Sequence, residues 1–253
     1  MRRAIGAEWA KTWSEPGTTW LLVGLVVLSV AVSSMTIGTA RCPAGCGQDP
    51  ARISLAGVYL GQAIAALAGV RAIGAEYGTG MIRVTLTAIP RRGRLLAAKA
   101  LVLAGPVLAA STLAVGTSML TGQLVLPGHG FTARDGFDLV SGTMWRAELC
   151  AIGYLTLVAL LGLGLAAVVR DSAAAIGIAL GLLYLLPVVG VVVGQAAQRH
   201  LQQIAPMSAG LDSQTTVGLN GLPLTPWQGL VVVALWAAGA LVLGGAVLRL
   251  RDA

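Results

Sequence analysis

Charge is scarce in this chain: of 253 residues only 11% are charged, against about 25% in an ordinary soluble domain. A packed protein of this length could not cover a water-facing surface with so few charges, which excludes a soluble enzyme. Disorder is excluded by the opposite measure. The chain is 56% hydrophobic with a mean hydropathy of +0.82, whereas disordered segments have low hydrophobicity. Lysine and histidine are nearly missing, with only Lys11, Lys99, His129 and His200 present. Neither lysine closes a phosphate-cradling G-x-x-x-x-G-K-[ST] loop, since Ile5 and Ala10 stand where glycines would have to precede Lys11. No H-E-x-x-H or G-x-S-x-G occurs either. No catalytic residue, metal site or cofactor site is therefore assigned to this chain. Aromatics are only 5%, so the apolar mass is Ala, Leu, Val and Gly, a mixture suited to helices that pack closely in lipid.

What is present is a series of long apolar runs. A bilayer crossing needs about 20 mostly apolar residues. Six stretches qualify, at about 18–38, 53–73, 95–120, 147–169, 173–194 and 227–248. Because backbone polar groups must be satisfied internally in lipid, these are helices. The expected fold is all-α and polytopic, a single domain over 1–253. With the N-terminus in the cytosol, twelve basic and five acidic residues fall on the cytosolic side, and five of each fall outside. The whole net charge of +7 thus sits on one face, as the positive-inside rule requires. Both termini are then expected in the cytosol, in a multi-pass membrane protein. Such a charge excess raises nucleic acid as a partner, but here the basic residues sit at span ends beside anionic headgroups, so lipid is the partner expected.

The segments between spans carry more information. In residues 1–16, Ile5, Trp9 and Trp13 recur one turn apart, with Arg2, Arg3, Glu8, Lys11 and Glu15 on the other faces. Pro16-Gly17 closes this stretch, which reads as an interfacial elbow helix anchored by Trp9 and Trp13. The loop at 71–99 holds half of the cytosolic basic residues and a single acid, Glu76. Within it Ile82, Leu86 and Ile89 share a helical face, although Ile82, Val84 and Leu86 also alternate like a strand. Pro90 ends the apolar run, and Arg91, Arg92 and Arg94 follow as membrane anchors. On the outer side Cys42 and Cys46 flank a Pro-Ala-Gly turn; they fit a small disulfide loop, with two unpaired thiols as the alternative. Residues 195–225 read as an outer-surface or partly re-entrant helix covering the mouth of the bundle, with Leu201, Ile204 and Met207 on a helix-like spacing. Trp20, Trp145 and Trp227 mark span ends. Gly177-x-x-x-Gly181 and Gly190-x-x-x-Gly194 frame the fifth span around Pro187 and are expected to seat neighbouring helices within the subunit, a dimer seam being the alternative. No charge stands at a span midplane, and Gln62 and Gln195 are polar but neutral. That argues against an ion-coupled carrier.

Glu76-Tyr77-Gly78-Thr79, the apolar stretch to Pro90, and Arg91, Arg92, Arg94 and Lys99 leading into the third span resemble the permease subunits of ABC type-2 exporters. The tryptophan-bearing N-terminus, six spans and the outer segment before the last span are similar to that family too. The resemblance implies that segment 74–94 forms a coupling helix between spans 2 and 3, resting on a separate ATPase subunit that carries ATP and Mg. It implies that Glu76, Tyr77, Gly78, Thr79 and Arg83 form or position this contact, and that a second permease copy or paralogue completes the pore. The substrate class expected is hydrophobic or amphipathic, moved outward. The competing expectation is a stand-alone six-helix carrier or membrane scaffold that needs no ATPase.

Overall fold

A computed structural model of the chain describes residues 6, 9, 16–42, 47–78, 80–81, 92–131, 142–193, 195–219 and 222–251. Its described residues are mostly helical, with no strand among them. Among the described residues, six helices are long and apolar enough to cross a membrane.

The first is α1, Pro16–Thr39. Pro16 stands at its first turn, where a missing N–H is tolerated. The second run is divided, with α2 at Pro50–Ser54 and α3 at Val58–Gly78. Asp49 caps α2, its carboxylate accepting from the Ala51 and Arg52 amides at 3.0 and 3.4 Å. The break at 55–57 follows from a close approach. The Gly57 amide donates to Ser33 Oγ at 3.0 Å, and a Cβ on Gly57 would lie 1.9 Å from the Ser29 carbonyl oxygen. At its other end α3 runs to Gly78, about one turn beyond the expected span edge near 73.

Next come α4, Arg92–Val125, continuing into a 3-10 turn at Leu126–His129, and α5, Gly142–Val169. Arg170 adopts φ 64°, and Asp171 accepts from the Ala174 amide at 2.7 Å. The chain thereby reverses in two residues into α6, Ser172–Leu180. A π-helical turn at Gly181–Leu185 links α6 to α7, Leu186–Val193. Beyond the spans lie α8, Gln195–Ile204, and α9, Pro206–Asp212; Pro206 splits the single surface helix expected there. The last span is α10, Pro226–Arg251.

α5 is the hub, with 67% of its span buried against 22% for α1, the fifth span and α10. It packs on α3, α4, α6 and α10. Two crossings bring backbones together. A Cβ on Gly69 would meet the Ala159 carbonyl at 1.9 Å, and one on Gly164 would lie 2.6 Å from the Ala240 carbonyl carbon. Two of the four glycines expected to do this do not. Gly177 faces open space, and Gly181 meets only Leu185 of its own turn. The close backbone crossings at Gly69 and Gly164 belong to α3, α5 and α10. Trp20, Trp145 and Trp227 are each more than half exposed, as lipid-interface anchors must be.

Candidate functional site

One end of the bundle, the basic end, gathers Arg71, Arg94, Arg170 and Arg249. There the C-terminus of α3 meets the first turns of α4. On α3, Gly69, Ile73 and Glu76 lie on one buried face, four and three residues apart. On α4, Leu95, Lys99 and Val102 do the same. The two helices approach at Glu76 and Lys99, where Lys99 Nζ stands 2.7 Å from Glu76 Oε1, with both side chains only 2% exposed. Lys99 Nζ also donates to the Ala72 carbonyl at 3.3 Å. A desolvated ammonium is tolerated only because carboxylate and carbonyl both face it.

The expected contact residues divide accordingly. The Glu76 carboxylate turns inward to Lys99 instead of outward, because α3 continues past 73 and carries residue 76 onto its packed face. Tyr77 is half-buried, while Gly78 is exposed at the end of α3 and Met81 is 50% exposed beyond it. Thr79, Arg83 and Arg91 lie outside the described residues, as do most of segment 74–94, Trp13, Cys46 and Gly194. Arg92 begins α4, and Arg94 is exposed in its first turn. Trp9 is helical and 46% exposed. Gly190 is buried in α7.

A second polar group, unforeseen as a cluster, lies within the spans. Three of the four tyrosines, Tyr59, Tyr154 and Tyr184, surround Gln62 from α3, α5 and the π turn. The Tyr154 hydroxyl donates to Gln62 Oε1, and the Tyr184 hydroxyl donates to the Tyr59 carbonyl. Gly210 of α9 lies against the Tyr154 ring, where a Cβ would come within 2.1 Å of it. Gln62 is fully buried, and its Nε2 has no partner among the described residues. The π turn is what aims Tyr184 at α3, and such single-turn bulges recur at functional sites. The sequence signal available was the scarcity of tyrosine combined with a lone glutamine inside a span.

At the opposite end, Asp49 and the loop after α9 form a latch. The Asp49 carboxylate accepts from Thr216 N, Thr216 Oγ1 and Val217 N at 2.6, 2.7 and 3.0 Å. Arg146 of α5 donates to the Ser213 and Thr215 carbonyls at 3.3 and 2.8 Å, and Arg52 pairs with Asp212 at 3.2 Å. Burial pushes the Asp212 carboxyl above its ordinary value, while the Arg52 guanidinium opposes the rise. Nearby, Cys42 is disulfide-bonded and its amide donates to the His129 carbonyl at 3.0 Å. Cys150, in α5, is a buried free thiol.

Among the described residues no three His, Cys, Asp or Glu side chains converge. The arrangement offers a braced basic end, a hydrogen-bonding group in the spans and a clamped opposite end. No family model matches the sequence, and no curated protein matches it significantly.

Proposed function

We propose that this chain is the permease subunit of an ATP-driven ABC exporter, working with a separate ATPase and a second permease copy to move an amphipathic substrate out of the cytosol. The observation that carries the reading is the Glu76–Lys99 ion pair. It ties together the two stems of the basic loop. A push delivered to segment 79–91 is then transmitted to α3 and α4 as one unit instead of being absorbed by a slack connector. The resemblance of Glu76-Tyr77-Gly78-Thr79 and the following arginines to a coupling segment supports the same role, with Glu76 as a positioning residue. The Tyr59–Gln62–Tyr154–Tyr184 group supplies hydrogen-bonding capacity suited to the polar part of an amphipathic molecule.

The test is a photocrosslinking residue at Met81, which is exposed next to the braced stem. Purification in mild detergent should bring a soluble ATPase with the chain, crosslinked at that position. Absence of both co-purification and crosslink would remove the mechanism. Glu76→Ala should then leave insertion intact while uncoupling ATP hydrolysis from transport, and unchanged transport would sink the assignment. The same buried pair favours one second reading, a proton-coupled carrier, because ionisable groups enclosed among spans often serve as relays. Transport that continues without any ATPase and collapses with a protonophore would establish that alternative.

A further inference from the structure

At the basic end α4 and α10 diverge and leave a groove of about 820 Å³, within the range of small-molecule sites. Its walls include Leu96 and Ala100 from α4, and Leu241 and Gly245 from α10. All are apolar, and the groove opens along the outside of the bundle.

The mouth is different in character. Arg249 reaches from α10 across to the start of α4, its Nη2 only 3.0 Å from where a Cβ on Gly93 would stand. Any larger residue than glycine would displace the guanidinium. Arg249 is exposed and has no carboxylate or other hydrogen-bond partner among the described residues. The guanidinium therefore sits beside the N-terminus of a 34-residue helix, where the aligned backbone amides concentrate positive potential. That first turn contains no acid and carries Arg94 instead. Of the acids nearby on other elements, Glu76 is occupied by Lys99 and Asp171 caps α6. Two independent sources of positive potential thus converge at the head of an apolar slot. Self-repulsion there is relieved by an anion, and the slot beneath it accepts hydrocarbon.

We propose that this groove is a binding site for one anionic phospholipid of the adjoining leaflet. The phosphate sits between Arg249 and the first turn of α4, and an acyl chain lies along Leu96, Ala100 and Leu241. A bidentate guanidinium–phosphate contact explains why arginine stands at this position. The inference needs only that the chain spans a membrane, and holds whether or not it serves an ATPase.

Native mass spectrometry of the full chain in mild detergent tests it, by titration with phosphatidylglycerol and phosphatidylcholine of identical chains. One phosphatidylglycerol should bind about tenfold more tightly than its zwitterionic counterpart, and Arg249→Gln should remove that preference. Arg249→Lys should retain part of it. Should R249Q fail to fold, Ala100→Leu, which fills the slot and keeps the cation, should weaken both lipids. Equal binding of the two lipids by the native chain would overturn the proposal. So would binding of glycerol 3-phosphate as tightly as the intact lipid. If A100L leaves lipid binding untouched but changes oligomeric mass, the groove is a seam between copies and the proposal fails.

Discussion

Removing the Glu76 carboxylate is the sharpest perturbation this structure offers. Lys99 Nζ and Glu76 Oε1 are 2.7 Å apart with 2% of either side chain exposed, so the small values measured for surface ion pairs do not apply. Glu76→Ala would remove the carboxylate from a buried ammonium that also donates to the Ala72 carbonyl at 3.3 Å. Breaking a buried pair from one side costs about 3–5 kcal/mol. For a chain of this size each kcal/mol moves the melting temperature by roughly 2–4 °C, so the variant should melt about 10 °C lower. Glu76→Gln should behave similarly, because an amide leaves the charge uncompensated. The double variant Glu76→Gln, Lys99→Met removes the charge and keeps the volume, and should recover most or all of the loss. The assay is tryptophan-fluorescence melting of the detergent-purified chain, arranged as a double-mutant cycle. A fall of under 2 °C in both single variants would show that the pair is solvated, and the brace between α3 and α4 would go with it.

Other consequences can be checked on the same preparation. Gly69→Ala drives a Cβ into the Ala159 carbonyl and should cost several kcal/mol, seen as aggregation on size-exclusion chromatography. Gly177→Ala, facing open space, should elute like the native chain. Asp49→Ala removes the acceptor of the Thr216 and Val217 amides and about 2 kcal/mol of charge-assisted bonding; amide exchange at those residues should rise while α5 stays protected. The Asp212 carboxyl is raised by burial, so its contribution to stability is complete below the ordinary carboxylate value of 3.8 and is lost as pH rises through its higher folded value. Asp212→Asn should therefore gain stability relative to the native chain between about pH 4 and neutrality, and a flat difference across that range would contradict the assignment. Cys42 is disulfide-bonded and Cys150 buried and free; an impermeant maleimide should label Cys42 from outside the cell only after reduction. Labelling confined to the cytosolic side would invert the topology.

The helical class and the number of spans were legible from composition and run length, because lipid leaves a backbone no alternative to internal hydrogen bonding. The clustering of arginine at one end was legible too, since Arg71, Arg94, Arg170 and Arg249 each lie at a span edge. Span ends were less so: α3 outlasts its apolar run by about one turn because its last residues pack against α4, where a neighbouring span shelters them from water.

Only the tertiary structure decided where side chains point. These spans are apolar all round, so periodicity carries no record of which face is buried. Glu76 looked like a surface acid until α4 placed Lys99 opposite it, 23 residues away in sequence. Tyr59 and Gln62 share α3, but Tyr154 of α5 and Tyr184 of the π turn reach them only through tertiary packing. Asp49 clamps a loop 167 residues downstream, a pairing that no local pattern encodes. The glycines show the same limit. Gly177 and Gly181 have the spacing of a contact motif, yet Gly69 and Gly164 make the close crossings, because a small residue seats a helix only where a partner backbone arrives. Sequence alone settled what the chain could dissolve in; packing settled which of its few polar groups face one another.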